Sequence, residues 1–272
     1  MPDTGTGTGT ASGPDPVKRI EGKVAVVTGG ASGLGEATAR LVVARGGRVA
    51  ILDRDADRAK AVADDLGDAA RAYVADVTDA EQVKAAIDGA VAELGPVRAT
   101  VICAGVGFAQ RTVGRAGPAD LDMFSTVIRI NLIGTYNVLR LAAAAMAANE
   151  PDATGERGVV VMTASVAAFD GQIGQTAYSA SKGGVAALTL PAARDLAVLG
   201  VRVCTIAPGV FETPMFAGLP PAARDALASQ VPFPSRLGDP REYALLACQI
   251  IEQPYLNGEV IRLDAALRMG PR

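Results

Sequence analysis

Tyr178 and Lys182 stand four residues apart in the run T-A-S-V-A-A-F-D-G-Q-I-G-Q-T-A-Y-S-A-S-K. On a helix this spacing puts both side chains on one face, about one turn from each other. An ammonium beside a phenol favours the phenolate, which predicts a tyrosine pKa lowered from about 10 toward neutrality. A tyrosine tuned in that way serves as general acid or base. Ser165, thirteen residues before Tyr178, can hydrogen-bond the same reacting oxygen if its strand end faces that helix. The chain contains no His. That excludes Ser-His-Asp and Cys-His nucleophiles, His-ligated zinc and a His base, and leaves Tyr, Lys, Asp, Glu and Cys for acid–base work. Cys103, Cys204 and Cys248 are odd in number and lack metal-ligand spacing. No metal site is expected, and a reducing compartment suits them better than a disulfide framework.

A second group of residues is suited to an anion. The apolar run Val24–Thr28 leads into Thr28-Gly29-Gly30-Ala31-Ser32-Gly33-Leu34-Gly35 and then a helical stretch. Glycines let a backbone approach a pyrophosphate, and the helix N-terminus supplies N–H groups and a favourable dipole. Asp53 closes the next apolar run, where a carboxylate can accept from adenosine ribose hydroxyls and would repel a 2′-phosphate. NAD is therefore expected over NADP, although Arg54 beside it could hold a phosphate. Asp76-Val77 closes the third run and could flank an adenine; Asp76 could equally cap a helix. Cys103-Ala104-Gly105 closes the fourth, where small residues let a cofactor lie against the backbone. Cys103 reads there as a small packing residue.

These runs must be positioned by a frame. Strands are expected at Val24–Thr28, Arg48–Leu52, Ala70–Val74, Ala99–Cys103, Gly158–Thr163, Arg202–Ile206 and Val260–Leu263, with helices near 34–45, 56–66, 80–94, 120–149, 177–199 and 240–252. Continuous apolar strands such as V-A-V-V are buried on both faces, as in parallel sheets. The alternation predicts an α/β fold of Rossmann type, a doubly wound parallel seven-stranded sheet with helices on both faces. Residues 107–119 and 209–238 are long irregular stretches that follow strand ends, where ligands bind in such sheets. Val210, Phe211, Met215, Phe216, Leu219, Val231 and Phe233 in the second could form an apolar lid or pack against the sheet. Pro191 interrupts the window 177–199 and should kink it.

The chain has 272 residues, nearly half apolar, no Trp and a formal charge of −3. That length suits one domain over 20–272. Residues 1–19, rich in Gly, Thr and Pro, read as a disordered extension with neither a secretory h-region nor transit-peptide character. No membrane span is expected, since no apolar run approaches about 18 residues. The acidic balance gives no reason to expect nucleic-acid binding.

The motifs T-G-G-A-S-G-L-G at 28–35, Asp53, Asp76-Val77, C-A-G at 103–105, Asn131, Ser165, Y-S-A-S-K at 178–182, Pro208-Gly209 and Thr213 occur in the order that marks short-chain dehydrogenases/reductases. Over roughly 20–265 the chain resembles that family. The resemblance implies a catalytic tetrad of Asn131, Ser165, Tyr178 and Lys182. Tyr would exchange the proton, Ser polarise the substrate oxygen, Lys lower the Tyr pKa and hold the nicotinamide ribose, and Asn support a water. It extends the cofactor contacts of Gly29, Gly33, Gly35, Asp53, Asp76, Val77, Cys103, Ala104, Gly105, Tyr178 and Lys182 to Ser32, Leu34, Pro208, Gly209, Phe211 and Thr213. Further stretches, such as A-S-Q-V-P-F-P-S-R-L-G-D-P, resemble family members that oxidise short and 2-methyl-branched 3-hydroxyacyl-CoA with NAD as homotetramers. That likeness adds Gln172 to Ser165 and Tyr178 as substrate contacts. A basic rim for the CoA phosphates would favour acyl-CoA, and Arg111 and Arg115 in the 107–119 loop are candidates for it. The chain departs from the pattern in Ile102 before C-A-G, in a shorter 107–119 loop and in D-A-A at 264–266. A steroid or small secondary alcohol is the alternative substrate. An RNA-processing binding subunit is the alternative of another class, opposed by the acidic charge. The Ala-, Arg- and Gly-rich composition suggests a bacterial cytoplasmic enzyme.

Overall fold

All five residues of Val24–Thr28 are buried, as a strand covered on both faces requires. The computed structural model describes residues 20–214 and 221–271. The expected extension at 1–19, and Met215, Phe216 and Leu219 of the expected lid, lie outside the described residues. In chain order the elements are β1 (Val24–Thr28), α1 (Gly33–Ala44), β2 (Arg48–Asp53), α2 (Ala56–Leu66), β3 (Ala70–Val74), α3 (Ala80–Leu94) and β4 (Val97–Ile102). A two-residue hairpin follows, β5 (Val113–Gly114) with β6 (Gly117–Pro118), then α4 (Leu121–Ile128), a π-turn at Arg129–Ile133, α5 (Gly134–Ala147) and β7 (Gly158–Thr163). The chain closes with α6 (Thr176–Ala197), β8 (Val201–Pro208), α7 (Pro221–Ala228), α8 (Pro240–Glu252) and β9 (Val260–Leu263).

Among the described residues, the main sheet has seven strands in the order β3-β2-β1-β4-β7-β8-β9. Its pairings are parallel, as in Val26 opposite Ala50 and Val161 opposite Cys204. This is the expected Rossmann-type frame, and every expected strand is present within about two residues of its predicted ends. Val83, Ile87, Leu139, Met146 and Val185 cover one face of the sheet. Ala39, Val42, Val62, Tyr243 and Ile250 cover the other. The order reverses direction between β1 and β4, which opens a crevice at their carboxyl ends.

Three local features differ from the expectation. The window 120–149 is two α-helices joined by the π-turn; an extra residue per turn is invisible to hydrophobic periodicity and is frequent at functional sites. The stretch 209–238 contains α7. Pro191 leaves α6 continuous; it faces solvent, and so does Ala187, whose carbonyl loses its donor. The window Leu121–Ala147 is long and apolar enough to cross a membrane by length and composition, yet half of it is buried inside the protein. Its second helix, α5, packs into the core through Val138, Leu139, Ala142 and Met146.

Four helix starts carry side-chain caps. Asp55, Asp79, Asp120 and Asp239 cap α2, α3, α4 and α8 with their side chains. Each such cap contributes about 1 kcal/mol. Ser32 and Gln175, which precede α1 and α6, form no side-chain cap. Both border the crevice.

Candidate active site

A cavity of about 890 Å³ fills the crevice. One end is a cradle made by the β1–α1 turn. Gly29 has φ +65°, and a Cβ there would sit 2.9 Å from the Ala104 amide nitrogen. A Cβ on Gly35 would lie 2.2 Å from the Gly29 carbonyl oxygen. Only glycine lets the first turn of α1 come this close to the loop. The Ser32 hydroxyl and the first-turn N–H groups of α1 are thus left for a ligand rather than for each other. The Asp53 carboxylate closes the cradle. Its Oδ2 accepts from the Ala31 amide at 3.1 Å and its Oδ1 from the Asp55 amide at 3.1 Å.

Asp76 lines the same end, but it does not cap α3, a role that falls to Asp79. Its Oδ1 accepts from the Thr78 amide and hydroxyl, each at 2.8 Å. Those bonds hold its pKa below the usual value, with help from Arg54 and Arg129.

The other end holds the reactive groups. Ser165 ends the approach from β7, and its Oγ accepts from the Ala167 amide at 3.1 Å. That leaves its proton free to donate, and it hydrogen-bonds Tyr178. Lys182 is 5% exposed. Its Nζ lies 5.9 Å from the centre of the Tyr178 ring and donates to the Thr163 carbonyl at 2.8 Å. The ammonium has three donors, so capacity remains toward the cavity it lines.

The expected fall in the tyrosine pKa is reversed in this site. Burial pushes the Tyr178 phenol up, and the Ser165 hydrogen bond offsets only part of that. Burial also pulls Lys182 down to about 8, with Cys103 acting the other way. The helical spacing places the two groups together, but desolvation is the largest cause acting on each.

Asn131 lies in the π-turn, fully buried. Its Oδ1 accepts from the Val106 amide at 2.8 Å, and its Nδ2 donates to the Val106 carbonyl at 2.9 Å and to Ser181 Oγ at 3.1 Å. Ser181 in turn donates to the Tyr178 carbonyl at 2.7 Å. Asn131 therefore clamps the loop after β4 to the helix that carries Tyr178 and Lys182. From the opposite face of the sheet, Tyr243 Oη lies 2.6 Å from Thr163 Oγ1 and 3.6 Å from Cys103 Sγ. This buried cluster fixes the strand end whose carbonyl holds Lys182.

Each residue expected at the cofactor lines this one cavity: Gly29, Ser32, Gly33, Leu34, Gly35, Asp53, Asp76, Val77, Cys103, Ala104, Gly105, Tyr178, Lys182, Pro208, Gly209, Phe211 and Thr213. Gln172 does not line it; its side-chain amide donates to the Gly270 carbonyl at 3.2 Å. Gln175 lines it instead, together with Val106, Phe108, Ala109 and Met269. Gln175 falls one helical turn before Tyr178 and could have been found by spacing. Met269 had no such signal. Arg111 and Arg115 are exposed beside the β5–β6 hairpin and do not line the cavity. Of the expected lid, Phe211 and Val231 are buried, whereas Phe233 is exposed.

Glycine cradle, ribose carboxylate and a Ser-Tyr-Lys group in one crevice define a dinucleotide-dependent oxidoreductase site. The family described as short chain dehydrogenase matches residues 23–223. The 3-hydroxyacyl-CoA dehydrogenase type-2 of Bos taurus is 53% identical over 93% of this chain and 98% of its own. The Homo sapiens protein of that name is 52% identical over 93% and 98%. A crystal structure of 3-hydroxyacyl-CoA dehydrogenase type-2 from Mycobacterium avium superposes with a TM-score of 0.91 at 49% identity, over 94% of this chain and 99% of that one. The 3-ketoacyl-(acyl-carrier-protein) reductase from Brucella melitensis, complexed with NADH, gives a TM-score of 0.83 at 28% identity, over 92% of this chain and all of that one. The chain belongs to the short-chain dehydrogenase family. Its cofactor is a nicotinamide dinucleotide, which the uncapped α1 N-terminus and the glycine cradle fit.

Proposed function

We propose that the protein is an NAD-dependent dehydrogenase of 3-hydroxyacyl-CoA, taking short or 2-methyl-branched acyl groups. The observation that supports this most is the placement of Ser165, Tyr178 and Lys182 in the same crevice as the glycine cradle. The likeness to 3-hydroxyacyl-CoA dehydrogenases over nearly the whole length supports the substrate class. Bound nicotinamide supplies the hydride acceptor or donor. In the oxidation direction Tyr178 takes the proton of the C3 hydroxyl, and in reduction it gives one back. Ser165 holds the reacting oxygen by its O–H, which turns to it from the Tyr178 phenol. Lys182 places its Nζ 5.9 Å from the centre of the phenol ring, where its ammonium form favours the phenolate. Positioning and fixed charge are the protein's own contribution to rate.

Asp53 supports NAD over NADP. Its carboxylate is oriented by two backbone amides and would repel a 2′-phosphate. Replacing it with Ala should lower the preference for NADH, measured as the ratio of kcat/KM for NADH and NADPH, by about tenfold. An unchanged ratio would contradict this assignment. The main test is reduction of acetoacetyl-CoA with NADH, followed by nicotinamide absorbance. Turnover supports the proposal. Turnover of small ketones or steroids without any acyl-CoA activity would replace it with the secondary-alcohol reading.

The expected homotetramer and cytoplasmic location belong to the same proposal. Leu121, Phe124, Ile133 and Tyr136 on α4–α5, with Leu190 and Val198 on α6, are exposed apolar side chains suited to helix pairing between copies. Light scattering should give a tetramer mass; a monomer would remove the assembly. The free thiols of Cys103, Cys204 and Cys248 suit a reducing compartment.

A further inference from the structure

We propose that residues 264–271, which follow β9, form the wall that limits acyl-chain length, with Met269 as the specificity-determining residue and Arg262 as the residue that positions it. This deepens the acyl-CoA reading and takes its substrate class from it. Met269 lines the same cavity as Tyr178, Ser165 and Gln175, yet it comes from a segment far from them in the chain.

That segment is held by side chains. Arg262 Nε donates to Asp264 Oδ2 at 2.6 Å, and its Nη2 donates to the Leu267 carbonyl at 2.9 Å. The same Nη2 is hydrogen-bonded to the Asp170 carboxylate, and the guanidinium lies 5.3 Å from the centre of the Phe169 ring. Phe169 and Asp170 belong to the loop that runs from Ser165 toward Tyr178. Two further bonds fasten the end of the wall to that loop, from Gln172 Nε2 to the Gly270 carbonyl at 3.2 Å and from the Ile173 amide to the Pro271 carbonyl at 3.0 Å. The Gln110 amide donates to the Gly174 carbonyl at 2.7 Å, which joins the loop after β4 to the same assembly.

Three separate parts of the chain thus meet over the substrate end. The charged latch joins the wall to the Ser165–Tyr178 loop, and Met269 lines the cavity. A charged pair with a bidentate-capable arginine fixes position. An unbranched, polarizable side chain accommodates chains of more than one shape. This division assigns length selection to Met269 and the setting of its position to Arg262 with Asp170.

The test measures kcat/KM for saturated 3-hydroxyacyl-CoA substrates of increasing length, from four carbons to ten, in the wild type, Met269→Ala, Met269→Trp and Asp170→Asn. A parallel series of 2-alkanols covers the same lengths. Circular dichroism and the Kd for NADH confirm a folded protein with an intact dinucleotide end. Met269→Ala should raise the long-to-short ratio about tenfold, and Met269→Trp should lower it by a similar factor. Asp170→Asn should shift the ratio in the same direction as Met269→Ala, by about threefold, because the wall is less firmly held. An unchanged ratio in both Met269 variants, with NADH binding retained, overturns the proposal. If no acyl-CoA is turned over but the 2-alkanol ratio moves as stated, the acyl-CoA reading fails and the wall stands.

Discussion

The two ends of the crevice are built by different means. At the dinucleotide end, backbone sets the shape: Gly29 at positive φ, Gly35 against the Gly29 carbonyl, and an uncapped helix start. At the substrate end, side chains set it: Asn131 clamps the loop after β4, and Arg262 latches two others together. The turns differ in the same sense. The first uses glycine where φ is positive, whereas the turn after β9 places Ala265 and Ala266 at φ +50° and +65°. A backbone cradle accepts one ligand and tolerates little change. A cradle of side chains can be retuned by substitution, which is what a variable acyl group requires.

Where the two ends meet, the effect of substitution should be largest. Ser165→Ala removes the donor to the reacting oxygen and should lower kcat by about 10²–10³, with NADH affinity retained. A kcat within twofold of wild type would take Ser165 out of the chemistry. Gly35→Ala attacks the backbone-built end and should cost about 1–3 kcal/mol, read as a lower Tm and weaker NADH binding, because the added Cβ meets main-chain atoms. Unchanged NADH binding would show that α1 can move away from the Gly29 carbonyl without loss of the cradle. The smallest effect belongs to the strained turn. Ala266→Gly should stabilise the fold by less than about 1 kcal/mol, since relief of left-handed strain is partly cancelled by the greater freedom of glycine when unfolded. Measurable destabilisation in a denaturant melt would show that no strain resides there.

The same contrast explains what could be read in the sequence. The sheet and the dinucleotide end were legible because local pattern determines them. Apolar runs give buried parallel strands, and glycines at fixed spacing after β1 give the cradle. Every expected cofactor residue accordingly lines the cavity. The substrate end depends on contacts between distant segments. Gln172 and Gln175 are three residues apart, and while helical spacing from Tyr178 points to Gln175, the turning away of Gln172 rests on its hydrogen bond to the distant Gly270. Met269 is placed by a turn and an arginine latch that no periodicity announces. The π-turn at Asn131 breaks the helical period only locally, so the window read as one helix. The direction of the Tyr178 pKa escapes the sequence for a related reason: spacing reports the neighbour, while burial, which decides the sign, is a property of the whole fold.

That sign has a consequence in solution. With burial raising the phenol, Tyr178 is a ready acid at neutral pH and becomes a base only as it ionises. The rate of 3-hydroxyacyl-CoA oxidation should therefore rise with pH by about tenfold per unit before a plateau, while acetoacetyl-CoA reduction stays level and then declines. The decisive experiment records kcat/KM against pH in both directions for the wild type and Tyr178→Phe. The expected result is opposed pH dependence in the wild type and a low, flat profile in the variant. An alkaline rise that survives in Tyr178→Phe, at rates near wild type, would contradict the assignment of the proton to this tyrosine.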